Sequence, residues 1–309
     1  MTADRKAIKR NLMDLVEFGL GVEYTEIART TSDPRTGELA ENTILTEFYL
    51  VREFTDGELR LLIDGLLFSR HLPHSQCREL VEKLEELSSV YFRSRVGHIA
   101  PMPEDRTDNR QLFLNIELLD EAICRNRKVS FHYLEYRTDK QQHLRTRSDG
   151  SVREYVVTPY QMAAREGKYY LICNHDSHDN VANYRLDRIC DLEVLNESAR
   201  PFSSLTGTDG RPLDLAEYMR RHVYMYASGD CRARLRIASF LVSDMIDLFG
   251  MDIAFSDEDD NGVTATVFAN EMSVEQFAKS FAPHVTVLEP EDLRDRVKGM
   301  LERALEGYQ

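Results

Sequence analysis

Near residue 129 the apolar residues change their period, and this change constrains the fold more than any other feature. In the helical segments just before it, hydrophobic side chains recur every three or four residues, the spacing of one helix face. After it, VSFHYLEY (Val129 to Tyr136), REYVVTPYQMAA (Arg153 to Ala164), KYYLICN (Lys168 to Asn174) and ANYRLDRICDLEVL (Ala182 to Leu195) read as short strands between polar turns. A small β-rich domain therefore follows a helical region. From Asp214 onward the pattern becomes helix (Asp214 to His222), strand (Cys231 to Ala238), helix (Val242 to Phe249), strands (Asp252 to Phe255 and Val263 to Ala269), helix (Val274 to Phe281), strand (His284 to Leu288) and helix (Glu291 to Leu305). Its centre has the order of a split βαβ unit.

Upstream, DRKAIKRNLMDLVEF places Ile8, Leu12 and Leu15 on one stripe of a helix from Asp4 to Phe18, with Asp4 or Thr2 as its cap. Arg5, Lys6, Lys9 and Arg10 occupy its other faces. Strands Val22 to Thr30 and Glu41 to Leu50 then flank the turn-rich Ser32-Asp33-Pro34-Arg35-Thr36-Gly37. Two helices follow, Thr55 to Ser69 and Pro73 to Ser94, the first opening with the capping-box pattern Thr55-x-x-Glu58. GHIAPMPEDRTDNR (Gly97 to Arg110) has no periodicity and reads as a linker, and a helix from Gln111 to Arg125 leads into the β-rich segment.

Composition removes several classes of function. The 309 residues contain no apolar run of membrane-spanning length and no secretory leader in MTADRKAIKR, and the five cysteines are scattered without a Cys-x-x-Cys pair. A cytoplasmic protein with free thiols is expected. The formal net charge of −14 disfavours indiscriminate coating of nucleic acid, so binding would have to rest on local basic surfaces. No Gly-rich phosphate loop, nucleophile elbow or His-Glu-x-x-His helix is present, and an enzyme is not expected. Cys173-x-His175-x-x-His178 and His71-x-x-His74-x-x-Cys77 have zinc-like spacing but no matching partner pair, and the acidic run Asp257 to Gly262 lacks the form of a calcium loop. No metal or cofactor is expected.

The β-rich segment carries Tyr133 in its first strand, Arg153 with Pro159 in the next, then Tyr169-Tyr170-Leu171, then Tyr184-Arg185-Leu186-Asp187-Arg188-Ile189. In this order and spacing the chain resembles the WYL-domain family of bacterial transcriptional regulators. Tyr169 stands where the family has its name-giving tryptophan, a change that preserves an aromatic ring. The C-terminal α/β segment resembles the extension domain that follows in that family. The resemblance implies an α+β multidomain architecture: a winged helix-turn-helix, a helical linker, an Sm-like β-barrel and a ferredoxin-like C-terminal domain that supports a homodimer. DRKAIKRNLMDLVEFG resembles the recognition helix and the hairpin after it resembles the wing, while the two helices that precede them in the family are absent. The module is therefore expected to be partial, and Ile8, Leu12 and Leu15 to lose most of their burial, roughly 1.5–3 kcal/mol per large side chain.

The expected domains are a partial winged helix-turn-helix at 1–52, a helical linker region at 53–110, the WYL domain at 111–200 and the dimerising extension at 213–309. The implied function is a ligand-responsive regulator whose WYL domain binds a nucleic-acid fragment or nucleotide; the alternative is a truncated accessory protein that dimerises and binds single-stranded nucleic acid without its own operator. Double-stranded DNA is expected as a partner if the N-terminal module is intact, through Arg5, Lys6, Lys9 and Arg10 on the helix and Arg29 and Arg35 in the wing; the same helix face reads equally as a solvated one. For the WYL ligand the candidates are Tyr133, Arg153, Tyr170, Arg185 and Arg188, arginine beside aromatic rings being the chemistry that stacks bases and pairs phosphates. Strand alternation lets at most one of Tyr169 and Tyr170 face a ligand, and it separates Arg185 from Arg188. Arg185 is expected to make the contact, with Arg188 the one that could instead pair with Asp187 or Asp191.

Overall fold

The computed structural model describes residues 4–32, 39–69, 72–87, 109 and 111–309. They fall into two compact units, one of residues 1–68 with 75–103, the other of 69–74 with 104–309.

In the first unit, α1 (Arg5–Glu17) starts where the Asp4 carboxylate accepts a hydrogen bond from the Lys6 backbone N–H at 3.1 Å, and stops before Gly19, whose φ of 77° ends the helix. None of its residues is buried; Ile8 is 45% and Leu15 39% exposed. β1 (Val22–Ser32) and β2 (Leu39–Leu50) form an antiparallel ribbon longer than alternation predicts, with a register shift between Glu23 and Thr25. Arg35 lies outside the described residues. α2 (Asp56–Phe68) opens with the expected box: the Thr55 N–H donates to Glu58 Oε2 at 2.8 Å, and the Glu58 N–H donates to Thr55 Oγ1 at 3.2 Å. α2 and α3 (His74–Glu86) share a small cluster of Leu59 and Ile63 with Phe54, Leu67, Val81 and Leu84.

The second unit holds two sheets. α4 (Leu112–Cys124) precedes a six-stranded antiparallel sheet of β3 (Arg127–Tyr136), β4 (Gln142–Leu144), β5 (Glu154–Arg165), β6 (Lys168–Asn174), β7 (Val181–Arg185) and β8 (Ile189–Ser198). The order is β4-β3-β5-β6-β7, with β8 also paired to β3. Two expectations are corrected here. The stretch Ala182 to Leu195 is not one strand, because Leu186-Asp187-Arg188 forms a 3-10 turn that parts β7 from β8. Nor is the barrel closed: among the described residues β7 and β8 share no ladder, and the sheet is open.

The second sheet contains β9 (Asp230–Ile237), β10 (Ala254–Asp259), β11 (Gly262–Asn270) and β12 (Val285–Glu289) in the antiparallel order β10-β11-β9-β12. β11 thus lies between β9 and β10, splitting the unit they form with α6 (Val242–Phe249). α7 (Glu271–Ser280) and α8 (Glu291–Glu306) complete the layer, and a core that includes Leu235, Ile237, Met245, Val267, Phe277 and Leu293 fills the space between helices and sheet. α5 (Leu215–Arg221) ties the two sheets together: Tyr218 packs with Ala163, Ile172 and Met225, and its hydroxyl donates to Asn183 Oδ1 at 3.0 Å. Among the described residues no helix is long and apolar enough to cross a membrane.

Candidate functional site

Alternation along β3 and β5 brings Phe131, Tyr133 and Tyr155 to one side of the first sheet, and β7 adds Tyr184. Phe131 and Tyr155 are cross-strand partners and stack at 5.5 Å with rings 8° apart. Tyr184 meets Tyr133, Phe131 and Tyr155 edge-on at 5.1, 5.3 and 5.4 Å. These offset and edge contacts are the favoured geometries of aromatic quadrupoles. His175, just past β6, closes the cluster with its Nε2 2.7 Å from the Tyr184 hydroxyl. Burial pushes the Tyr133 and Tyr184 hydroxyls up and His175 down, so the cluster favours its neutral forms.

Arg145, Arg153 and Arg185 adjoin these rings, and Arg188 adjoins the neighbouring Tyr136. Arg153 lies 4.7 Å over Tyr155, Arg145 5.3 Å over Tyr133, and Arg188 5.7 Å over Tyr136. Arg145 is placed by the return of the chain along β3, where its N–H donates to the Tyr133 carbonyl at 2.9 Å, and its Nε donates to Glu135 at 2.9 Å. Arg185 is engaged differently: Nε and Nη2 donate to the two oxygens of buried Asp187 at 3.0 and 2.6 Å, and its own N–H donates to the Tyr133 hydroxyl at 3.2 Å. Burial opposes the charge on Arg185, but the Asp187 hydrogen bonds outweigh it and raise its pKa.

The internal pairing with Asp187 that was considered for Arg188 falls to Arg185. Arg185 is the internally paired residue, because the 3-10 turn folds Asp187 back beneath it. Arg188 has no carboxylate partner among the described residues, and its buried Nε donates to nothing. The turn is held by two asparagines: Asn109 Nδ2 donates to the Asp187 and Ile189 carbonyls at 3.1 and 2.7 Å, and Asn115 Nδ2 to the Ile189 carbonyl at 2.8 Å. Asp191, the other partner considered for Arg188, instead lies 3.2 Å from His132.

Of the remaining expected residues, Arg153 is exposed and has no carboxylate partner among the described residues. Tyr133 is buried inside the cluster and supports Arg145 and Arg185. Tyr170 pairs across the ladder with Arg185 and packs in the cluster around Tyr218 and Met225, at the junction with α5. Sequence reasoning missed Arg145, Tyr155 and Asn109. Tyr155 was legible from its alternation with Arg153; Arg145 stood in a segment read as a turn, and only the return along β3 gives it a place.

The zinc-like residues are engaged elsewhere: Cys173 Sγ lies 3.5 Å from the Ala182 carbonyl, His175 holds Tyr184, and His178 pairs with Ser177. His71 lies outside the described residues, and among these no group of three His, Cys, Asp or Glu side chains is arranged to hold a metal ion. In the first unit Arg5, Lys6, Lys9, Arg10 and Arg29 are all exposed.

The model of the WYL domain matches residues 115–194, and the model of the WCX domain matches residues 229–305. The chain belongs to the WYL-domain proteins and carries a WCX domain behind its WYL domain. Among solved structures it is similar to proteasome accessory factor B/C (PafBC) of Arthrobacter aurescens, at 17% identity and a TM-score of 0.30, over 87% of this chain and 39% of that one. The chain thus spans well under half the length of that protein. It is also similar to a CRISPR Cas-related protein, at 13% identity and a TM-score of 0.39, over 99% of this chain and 74% of that one. No curated protein matches the sequence significantly.

Proposed function

We propose that the chain is a ligand-responsive transcriptional regulator whose WYL domain binds a nucleic-acid fragment or nucleotide at the tyrosine and arginine cluster. WYL-domain membership supports a regulatory role in general. The observation that carries the ligand is the state of Arg153 and Arg188: the guanidinium groups lie 4.7 Å from the Tyr155 ring and 5.7 Å from the Tyr136 ring, with no carboxylate partner among the described residues. A cation held beside a ring but unpaired is placed yet free to take a phosphate, and Tyr136, 49% exposed, offers a base a ring to stack on. In this reading the first sheet is Sm-like, supported by the run β8-β3-β5-β6-β7 behind a helix, and the second is ferredoxin-like, supported by its split strand order. The proposal gives the chain binding in the cytoplasm and no catalysis, with the WCX domain as the contact of a homodimer.

The test is fluorescence anisotropy with short single-stranded DNA, RNA and nucleotides across a salt series. Arg153→Ala with Arg188→Ala should weaken binding at least tenfold and flatten its salt dependence. Unchanged affinity in that variant would remove the site.

A second reading, an accessory protein without its own operator, is favoured by α1, whose apolar stripe is exposed and whose basic face has no packed support. A mobility shift on the upstream DNA of its own operon separates the two. A sequence-specific shift lost on replacing Arg5, Lys6, Lys9 and Arg10 by alanine supports the first reading, and absence of any shift supports the second.

A further inference from the structure

Along β9 the residues alternate strictly. Ala233, Leu235 and Ile237 point into the core, and Arg232, Arg234 and Arg236 point out from the opposite face of the sheet. The register sets Phe268, Thr266 and Thr264 of β11 opposite these three arginines, and Thr286 of β12 opposite Arg236 on the other side. An antiparallel sheet packed on one face commonly shows a mixed polar surface on the other. Here a chain of net charge −14 places three cations at successive outward positions of a central strand. The acids that meet them stand at the margins: Glu289 at the end of β12 accepts from Arg234 at 2.8 Å, and Asp259 at the β10–β11 turn accepts from Arg236. Both are exposed pairs, weak in water and readily exchanged. Arg232 has no carboxylate partner among the described residues, and Phe268 is 52% exposed with the Arg221 guanidinium 4.5 Å from its ring.

We propose that this outer face of the WCX sheet binds an extended single strand of nucleic acid, its phosphates along Arg232, Arg234 and Arg236 and a base on Phe268. Outward residues of a strand recur every two positions, roughly 6.7 Å apart, a spacing suited to a stretched sugar–phosphate chain. Four-stranded sheets that stack unpaired bases on an exposed ring are an established means of single-strand recognition. A duplex keeps its bases stacked on one another and offers Phe268 no free face, so the strand must be single. The surface is separate from the tyrosine cluster, on a different sheet, and does not depend on it.

The full chain carrying Arg153→Ala and Arg188→Ala removes the first site's contribution, and its binding to a labelled oligo-dT of about a dozen nucleotides is followed by anisotropy over a salt series. Adding Arg232→Gln and Arg234→Gln should weaken the remaining binding at least tenfold and reduce the slope of log K against log salt by about 1.4, two phosphate contacts' worth. Phe268→Ala should cost about tenfold at unchanged slope, because stacking releases no counterions. Lysine at 232 and 234 should keep the slope. Circular dichroism confirms folding, which glutamine at these outward positions leaves intact. The proposal is overturned if the background chain does not bind, if the glutamine pair leaves affinity and slope unchanged, or if poly-aspartate displaces the strand as well as unlabelled oligo-dT does. None of these outcomes touches the tyrosine-cluster reading, which fails only through its own variants in the otherwise native chain.

Discussion

Helix α1 and the WYL sheet both present arginines, and they differ in what lies beneath. On α1 the basic side chains project from a helix with no buried residue. On the WYL sheet Arg145 and Arg153 rest on rings locked by cross-strand stacking, and Arg188 follows a turn that two asparagines hold. Positive charge in a sequence marks a binding surface only where the backbone under it is fixed, because an ordered cation has already lost the entropy that binding would otherwise cost.

The largest expected effect tests the contrast in packing. Phe277→Ala, in the WCX core, should lower unfolding stability by about 3–5 kcal/mol in urea titrations, whereas Ile8→Ala in α1 should change it by less than about 0.5 kcal/mol. A comparable cost at Ile8 would mean that a partner covers the α1 stripe in solution and would break the comparison. Next is Asp187→Ala, which strips the half-buried Arg185 of its bidentate partner and should cost about 3 kcal/mol. Restoring an apolar pair with Arg185→Met in the same chain should recover much of that loss, which places the cost in the orphaned charge.

Smaller effects sharpen the same contrast. Thr55→Ala removes half of the α2 capping box and should cost about 1 kcal/mol, seen as earlier unfolding of the first unit than of the second in hydrogen exchange. The smallest effect is in pH. His175 and His222 are both lowered by burial below the ordinary histidine value of 6.5. The unfolded chain therefore binds protons first as pH falls, and the stability present above pH 6.5 should decline below it. Urea midpoints between pH 7.5 and 5 should fall in the native chain and fall less steeply in His175→Asn; an identical decline in both would mean that His175 takes no part.

How much of this was legible beforehand varies by element. The caps at Asp4 and Thr55, the bounds of β6 and α6 and the order of elements after residue 214 follow from local pattern, because caps and periodicity are short-range. The break at Leu186-Asp187-Arg188 was not legible: its flanks alternate without interruption, and the turn is set by distant Asn109 and Asn115. The internal partner of Asp187 was sought at Arg188 by alternation through that turn, and the turn gives it to Arg185.

The sequence by itself determined the change from helical to strand period, the family to which the chain belongs and the residue types available for binding, since all three are written in order and spacing. Only the tertiary structure decided which arginine is spent on an internal carboxylate, which arginines lie over rings and what surrounds the β9 arginines on the outer face of the second sheet. Those outcomes depend on side chains tens of residues apart meeting across strands, and no local pattern encodes the distance between them.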